Sequence, residues 1–137
     1  MTTEEFLNAY NSGVRDFSCV DLHSADLHGR DLSGVCFYSV CLENANLRGA
    51  KLANADFRNA NLVDVDFSNA KIEDANFYEA DLNGAYFVYA ELSKVVFSCA
   101  GMSDVNLRWS KMFDLDFSNA DLTGADLRWA KFYDTDM

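Results

Sequence analysis

The sequence predicts an all-β solenoid preceded by a short helix, and a strict five-residue period is the main evidence. From Phe17 to Met137 every fifth residue is a large hydrophobe: 12 Leu, 9 Phe, 3 Met and Ile72 over 25 positions. Two residues before these central positions stand 14 Ala and six Val. A period of five fits neither an α-helix nor a flat strand. It is typical of a solenoid whose chain turns a corner at each repeat.

Residues 1–14 are predicted to form a cap over the first coil. Thr2 and Glu5 stand at capping-box spacing, and Phe6, Leu7 and Tyr10 would share one apolar face of a short helix. Such a cover is needed because the end of a solenoid exposes core side chains and unpaired strand edges.

Two arginines interrupt the Ala/Val pattern next to this cap. Arg15 and Arg30 occupy inward positions of the first coil. We expect both side chains to extend toward the N-terminal end, where they would meet Glu4 or Glu5.

A second period, of 20 residues, organises the repeats of residues 15–137 into about six coils. Read at this interval, one column of central residues is aromatic up to its last member: Phe17, Phe37, Phe57, Phe77, Phe97, Phe117 and Met137. Four five-residue units would therefore make one coil, with equivalent residues stacked about 4.8 Å apart. We expect an interior filled by side chains, and flat outer faces.

The repeat unit resembles that of the pentapeptide repeat family. Examples are Ala55-Asp56-Phe57-Arg58-Asn59 and Ala120-Asp121-Leu122-Thr123-Gly124. The resemblance implies a right-handed quadrilateral β-helix in which the central residue and the residue two before it point inward. Residues 7–13 (LNAYNSG) look similar to cyanobacterial members, some of which bind a regulatory protein. Other members resemble B-form DNA and bind DNA gyrase in its place.

No residue pattern indicates catalysis, so we predict a protein that is not an enzyme and has no cofactor. His23 and His28 fall at outward positions, and the motifs of serine hydrolases, P-loops and zinc proteases are absent. The carboxylates are expected to be solvated, with no apolar pocket to shift their pKa.

The cysteines do not form a recognisable metal or disulfide motif. Cys19, Cys36, Cys41 and Cys99 contain no C-x-x-C spacing, and we expect reduced thiols. Cys36 and Cys41 with His23 could in principle hold a metal. Whether any of the four cysteines has a redox role stays open.

The charge disfavours direct nucleic-acid binding. The net charge is −11; residues 1–69 carry 10 acids and 5 bases, and residues 70–137 carry 12 and 6. An acidic rod repels phosphates, and no apolar run is long enough to cross a membrane. We expect a cytoplasmic protein that does not contact a membrane. An acidic face that imitates DNA toward gyrase is an alternative function.

The last three coils carry the strongest candidate for a binding surface. At 20-residue spacing, Arg108-Trp109 and Arg128-Trp129 recur in one register, and aromatic or basic residues surround them. We call this predicted patch the aromatic corner: Tyr86, Val88, Tyr89, Arg108, Trp109, Lys111, Phe113, Arg128, Trp129, Lys131 and Tyr133.

Three uses of the aromatic corner remain open at this point. Exposed Trp beside Arg is typical of binding hot spots, which favours an unidentified protein partner. The same side chains could instead stabilise their own ladder through stacking and cation–π contacts. They could also belong to a tail-to-tail homodimer that covers the C-terminal coil.

Overall fold

A computed structural model describes residues 1–135 as a short helix followed by a stack of four-sided coils. Helix α1 spans Thr3–Asn11, and four short strands follow: β1 (Lys71–Glu73), β2 (Glu91–Ser93), β3 (Lys111–Phe113) and β4 (Lys131–Tyr133). The strands pair in parallel in the order β1-β2-β3-β4, each 20 residues from the next. Isolated parallel bridges with the same 20-residue offset, beginning with Asp16 to Cys36, join the other three sides and the first coils of the side that carries the strands. The predicted coil of four units is therefore confirmed.

Each side of the coil is named here by its first central residue: the Phe17, Leu22, Leu27 and Leu32 faces. Every central residue from Phe17 to Phe117 is buried. In the Phe17 column the rings of Phe57 and Phe77 stack with centroids 4.7 Å apart and planes 7° apart. The predicted position of Met137 in this column lies outside the described residues.

The coils turn their corners through left-handed backbone conformations. The residue two after each central position, from Cys19 to Asp134, has a positive φ, and five of these residues are glycine. The N–H of the following residue donates back to the central carbonyl, as from Ala80 to Phe77 at 3.0 Å. A positive φ at the third residue of such a turn is the type II geometry, which favours Gly and Asn. Asn and Asp are accordingly frequent at this position of the repeat.

The aspartates before the central positions brace the same turns. The Asp16 carboxylate accepts hydrogen bonds from the Ser18 hydroxyl at 2.6 Å and from the Ser18 backbone N–H at 3.0 Å. These two bonds lower the pKa of Asp16. The sequence prediction concerned only an apolar pocket as a cause of shifted pKa values; here the shift is downward and comes from hydrogen bonds of the Ser18 side chain and backbone. The pKa is also lowered at the equivalent Asp21, Asp26, Asp31, Asp56, Asp66, Asp116, Asp121 and Asp126.

Helix α1 closes the N-terminal end of the core. The Thr2 hydroxyl accepts from the Glu5 N–H at 3.1 Å, as the capping box predicts. Phe6 is fully buried, and its ring lies 4.5 Å from that of Phe17 and 5.5 Å from that of Phe37. Phe6 thus extends the aromatic column by one ring.

The predicted ion pairs of Arg15 and Arg30 with Glu4 or Glu5 are wrong. Both arginines are exposed although they stand at inward positions of the repeat, and within residues 1–135 neither makes an ion pair with those acids. Arg15 Nη1 donates to the Tyr10 carbonyl at 2.8 Å, and its guanidinium lies 3.8 Å from the centre of the Tyr10 ring. The physical reason is that a cation is stabilised by the free carbonyls at a helix C-terminus, whereas the two glutamates stand at the N-terminus.

The C-terminal coil is less covered than the rest. Leu122 and Leu127 are only half-buried, and Phe132 is 42% exposed. Each central residue needs a coil on both sides to be enclosed, and the last described coil has one neighbour. Within residues 1–135 no helix is long and apolar enough to cross a membrane.

Candidate interaction surface

The aromatic side chains of the corner form two exposed stacks. At the turn after the Leu27 face, Tyr89 stacks on Trp109 at 5.9 Å and Trp109 on Trp129 at 4.9 Å between ring centroids. The next stack, on the Leu32 face, joins Phe113 to Tyr133 at 4.6 Å. Tyr89 and Trp129 remain 56% and 55% exposed. The predicted column is thus a continuous apolar surface open to solvent.

Both arginines of the corner are held by one carboxylate. Arg128 donates to Asp126 through Nε at 3.0 Å and Nη2 at 2.8 Å, and Arg108 Nε lies 3.7 Å from the same carboxylate. The hydrogen bonds from Arg128 are the largest cause that lowers the pKa of Asp126 to about 2. The Arg128 guanidinium lies 5.3 Å from the centre of the Trp129 ring. Asp126 therefore positions Arg128 beside the Trp129 indole, while the Arg108 Nε also donates to Asn106 Oδ1 at 3.2 Å.

The remaining predicted residues lie at the margins of the corner. Lys111 and Lys131 are direct cross-strand neighbours between β3 and β4 and are exposed. Val88 is half-buried. Tyr86 is 45% exposed, but its column continues into Asn106 and Asp126 rather than into another aromatic residue. The structure brings ten of the eleven residues into stacked columns and leaves Tyr86 at the edge.

The three stacked aromatics at the turn occupy strained positions. Tyr89, Trp109 and Trp129 have φ values of 60°, 61° and 62°. A bulky side chain in the left-handed region is a conformational outlier, because its Cβ crowds the following carbonyl. Sequence reasoning placed these residues outward but missed the strain. The signal was the frequency of Gly, Asn and Asp at the same position of other repeats.

The charge is distributed unequally between the sides of the rod. Among residues 15–135, the Phe17 and Leu22 faces carry ten acids and two bases, Arg15 and Arg58, whereas the Leu27 and Leu32 faces carry nine acids and nine bases. The acids of the first two faces are Asp16, Asp21, Glu43, Asp56, Asp64, Glu79, Asp81, Asp104, Asp116 and Asp121. One half of the surface is therefore strongly acidic, and the aromatic corner lies on the other half.

The Leu32 face is not flat, contrary to the sequence prediction. A groove of about 450 Å³ runs along it from Ser33 to Phe113. Ser33, Ala53 and Ser93 are small where Phe113 and Tyr133 in the same column are large, and the one large residue among them, Glu73, lines the groove. The five-residue period describes the interior, so it contained no information about relief on the outer surface.

Comparison with known families identifies the repeat. The family described as "Pentapeptide repeat region" matches residues 20–97, and "Pentapeptide repeats (8 copies)" matches residues 100–137. The chain belongs to the pentapeptide repeat family. A search of curated proteins gives no match.

Solved pentapeptide repeat structures support the fold. A pentapeptide repeat protein, Rfr23, from the cyanobacterium Cyanothece 51142 is 20% identical with a TM-score of 0.62, over 97% of each chain. A trypsin-treated QnrB1, a plasmid-mediated fluoroquinolone resistance protein, is 22% identical with a TM-score of 0.54, over 88% of this chain and 66% of that one. These similarities establish the right-handed quadrilateral β-helix that the resemblance implied.

The histidines and cysteines of this pentapeptide repeat protein do not assemble into a site within residues 1–135. His23 and His28 each contact the aspartate two residues before, at 2.8 and 2.7 Å. Cys19 and Cys99 are exposed free thiols, and Cys36 and Cys41 are half-buried ones. No group of three or more metal-ligating side chains is present among these residues. Pentapeptide repeat proteins are in general structural or interaction proteins.

Proposed function

We propose that this pentapeptide repeat protein is a non-enzymatic interaction module that binds a partner protein through the aromatic corner. The observation that carries the proposal is the exposed Tyr89–Trp109–Trp129 stack in left-handed backbone positions. Every described turn has this backbone conformation, but among residues 1–135 aromatic side chains occupy it only at these three positions. Strain that is retained in this way often coincides with functional sites. Trp, Tyr and Arg are also the residues most enriched at binding hot spots.

The experiment compares capture of partners by two double variants. Trp109→Asn/Trp129→Asn removes the indoles while placing at both turns a residue that the repeat already tolerates there, as at Asn69. The matched control, Tyr38→Ser/Tyr78→Ser, removes two exposed aromatics of the Phe17 face and installs the residue found in that column at Ser118. After cross-linking in host lysate, a protein captured by wild type and control but lost by the tryptophan variant is the expected result. Equal capture by all three proteins would contradict the proposal.

A homodimer through the same corner is distinguished by sedimentation. The half-buried C-terminal coil and the aromatic stack lie next to each other, so a second copy could cover both. A tail-to-tail dimer would sediment as two chains in wild type and as one chain in the Trp109→Asn/Trp129→Asn variant. Binding to a different protein leaves both forms monomeric.

A second candidate function is DNA mimicry toward gyrase, which rests on the acidic half of the rod. The continuous acidity of the Phe17 and Leu22 faces is the observation that favours it. In a supercoiling assay with purified gyrase, mimicry predicts inhibition that Asp81→Asn/Asp121→Asn weakens and Trp109→Asn/Trp129→Asn leaves intact. Absence of inhibition by wild type would exclude this function.

A further inference from the structure

The groove on the Leu32 face has the form of a site for an extended chain. Its lining runs through five successive coils, from Ser33 to Phe113. Four coil spacings of about 4.8 Å give a length of roughly 19 Å, which about six extended residues span. Tyr10 bounds one end, because its hydroxyl donates to the Ser33 carbonyl at 2.8 Å, and the Phe113–Tyr133 stack bounds the other.

All five lysines of the chain lie on this same face. Four of them share the column before the central residue: Lys51, Lys71, Lys111 and Lys131. They form two pairs of direct cross-strand neighbours, Lys51 with Lys71 and Lys111 with Lys131. Like charges directly opposite on neighbouring strands are unfavourable. The column runs Asp31, Lys51, Lys71, Glu91, Lys111 and Lys131, so the two pairs flank Glu91 and the charge alternates. Lys51 and Lys71 line the groove with Glu73 and Glu91, and Lys111 and Lys131 continue the column at its end.

Within residues 1–135 the lysines form no ion pair with a carboxylate, unlike four of the six arginines. The paired arginines are Arg48, Arg58, Arg108 and Arg128. The lysine ammonium groups are therefore available to an outside ligand. Asp31 is the direct neighbour of Lys51, and Glu91 is the direct neighbour of Lys71 and Lys111, but each lysine pair keeps its repulsive contact. A ligand that brings two separate groups of negative charge would reduce both repulsions.

We propose that the groove binds an extended segment of a partner protein in which two acidic pairs flank a basic residue. The centres of the two lysine pairs are three coils apart, roughly 14 Å, and two acidic pairs separated by two residues in an extended chain have about the same spacing. Because adjacent side chains of an extended chain point to opposite sides, one carboxylate of each acidic pair faces the lysines, on the same side as the basic residue. The basic residue between them faces Glu73 and Glu91. This inference rests on the proposed function, since Lys111 and Lys131 belong to the aromatic corner. A nucleic acid fits less well, because its charge is uniform and the protein carries −11.

The test uses two peptides of identical composition, Glu-Glu-Lys-Ser-Glu-Glu and Glu-Glu-Glu-Glu-Lys-Ser, blocked at both ends and labelled with a fluorophore. Anisotropy at about 50 mM salt preserves charge contacts. We expect the first peptide to bind with a Kd below about 100 µM and the second at least about tenfold more weakly. Equal binding of the two peptides, or tighter binding of a hexathymidylate, would overturn the proposal.

Matched variants separate the groove from the aromatic corner. Lys71→Gln should weaken the first peptide about threefold to fivefold, whereas Lys94→Gln, with the same change in net charge outside the groove lining, should not. Equal losses in both variants would show a long-range charge effect and contradict the groove. Trp109→Asn/Trp129→Asn should keep peptide binding within about twofold of wild type. A further outcome is that wild type fails to bind the peptide while the tryptophan substitutions still abolish capture of a partner from lysate. That result would overturn the groove inference and leave the proposed function standing.

Discussion

Replacing Trp129 by asparagine or by alanine separates two contributions to the free energy of unfolding: the contacts of the aromatic stack and the strain of the backbone at this turn. Both substitutions remove the stack on Trp109 at 4.9 Å. An exposed aromatic stack contributes about 0.5–1.5 kcal/mol beyond its buried area. Only asparagine relieves the left-handed conformation at φ 62°, which costs a side chain with an ordinary Cβ roughly 1–2 kcal/mol.

The two variants should therefore differ in a defined direction. We expect Trp129→Asn to be more stable than Trp129→Ala by about 1 kcal/mol, and to lie within about 1 kcal/mol of wild type. Urea unfolding followed by circular dichroism measures both differences. At Phe113, which stacks on Tyr133 in a strand without positive φ, the asparagine variant should have no advantage over alanine.

Two results would refute this reasoning. If alanine is as good as asparagine at position 129, the left-handed backbone is not strained by the indole. If Trp129→Asn lowers the free energy of unfolding by more than about 2 kcal/mol, the stack stabilises the protein by more than an exposed aromatic pair normally does. The aromatic corner would then be a stabilising ladder, and the case for a binding surface would weaken.

Three further predictions concern the scaffold. Phe77→Ala should cost about 4 kcal/mol in urea unfolding, because a fully buried ring between two stacked neighbours is lost; Phe77→Leu should cost less than half as much, and equal losses would contradict this packing. Because the folded state lowers the pKa of Asp126 to about 2, its contribution to stability is complete above the usual aspartate pKa of about 4 and is lost as the pH falls toward 2. The melting temperature of Asp126→Asn should accordingly fall less than that of wild type as the pH is lowered over that interval. Parallel falls in the two proteins would contradict the stabilising role of the Asp126 carboxylate. Gly84→Ala should lower the melting temperature more than Gly29→Ala, since an added Cβ meets the Asp64 carboxylate at Gly84 and open space at Gly29; an equal effect would mean that the left-handed backbone alone decides.

The interior of the protein was predictable from the sequence because each unit repeats one packing solution. The five-residue and 20-residue periods predicted which side chains point inward, and the structure buries every central residue from Phe17 to Phe117. The capping box predicted α1 because Thr2 and Glu5 act within one helical turn. The ion pairs expected for Arg15 and Arg30 were wrong because they are not local interactions of this kind. They depended on how α1 docks, and Arg15 came to lie at the end of the helix that carries free carbonyls.

The candidate surface was predictable only as a set of columns. Spacing placed Trp109 above Trp129, but the plane-to-plane stack and the sharing of Asp126 by two arginines required side-chain geometry. The strain at these turns became visible only in the backbone angles. The groove of the Leu32 face depends on the relative sizes of neighbouring side chains around Ala53, and a period of hydrophobicity does not contain that information.

The sequence by itself determined the coil, its register and the identity of every column. With a strict period, only one alignment of the repeats buries all the large hydrophobic residues. Tertiary structure alone decided what those columns do at the surface. It divided the net charge between an acidic half and a neutral half, placed Lys51 directly beside Lys71 and opened a groove along them. The physical reason is that recognition depends on distances between groups 20 residues apart in the chain, and only the closed coil brings those groups within contact.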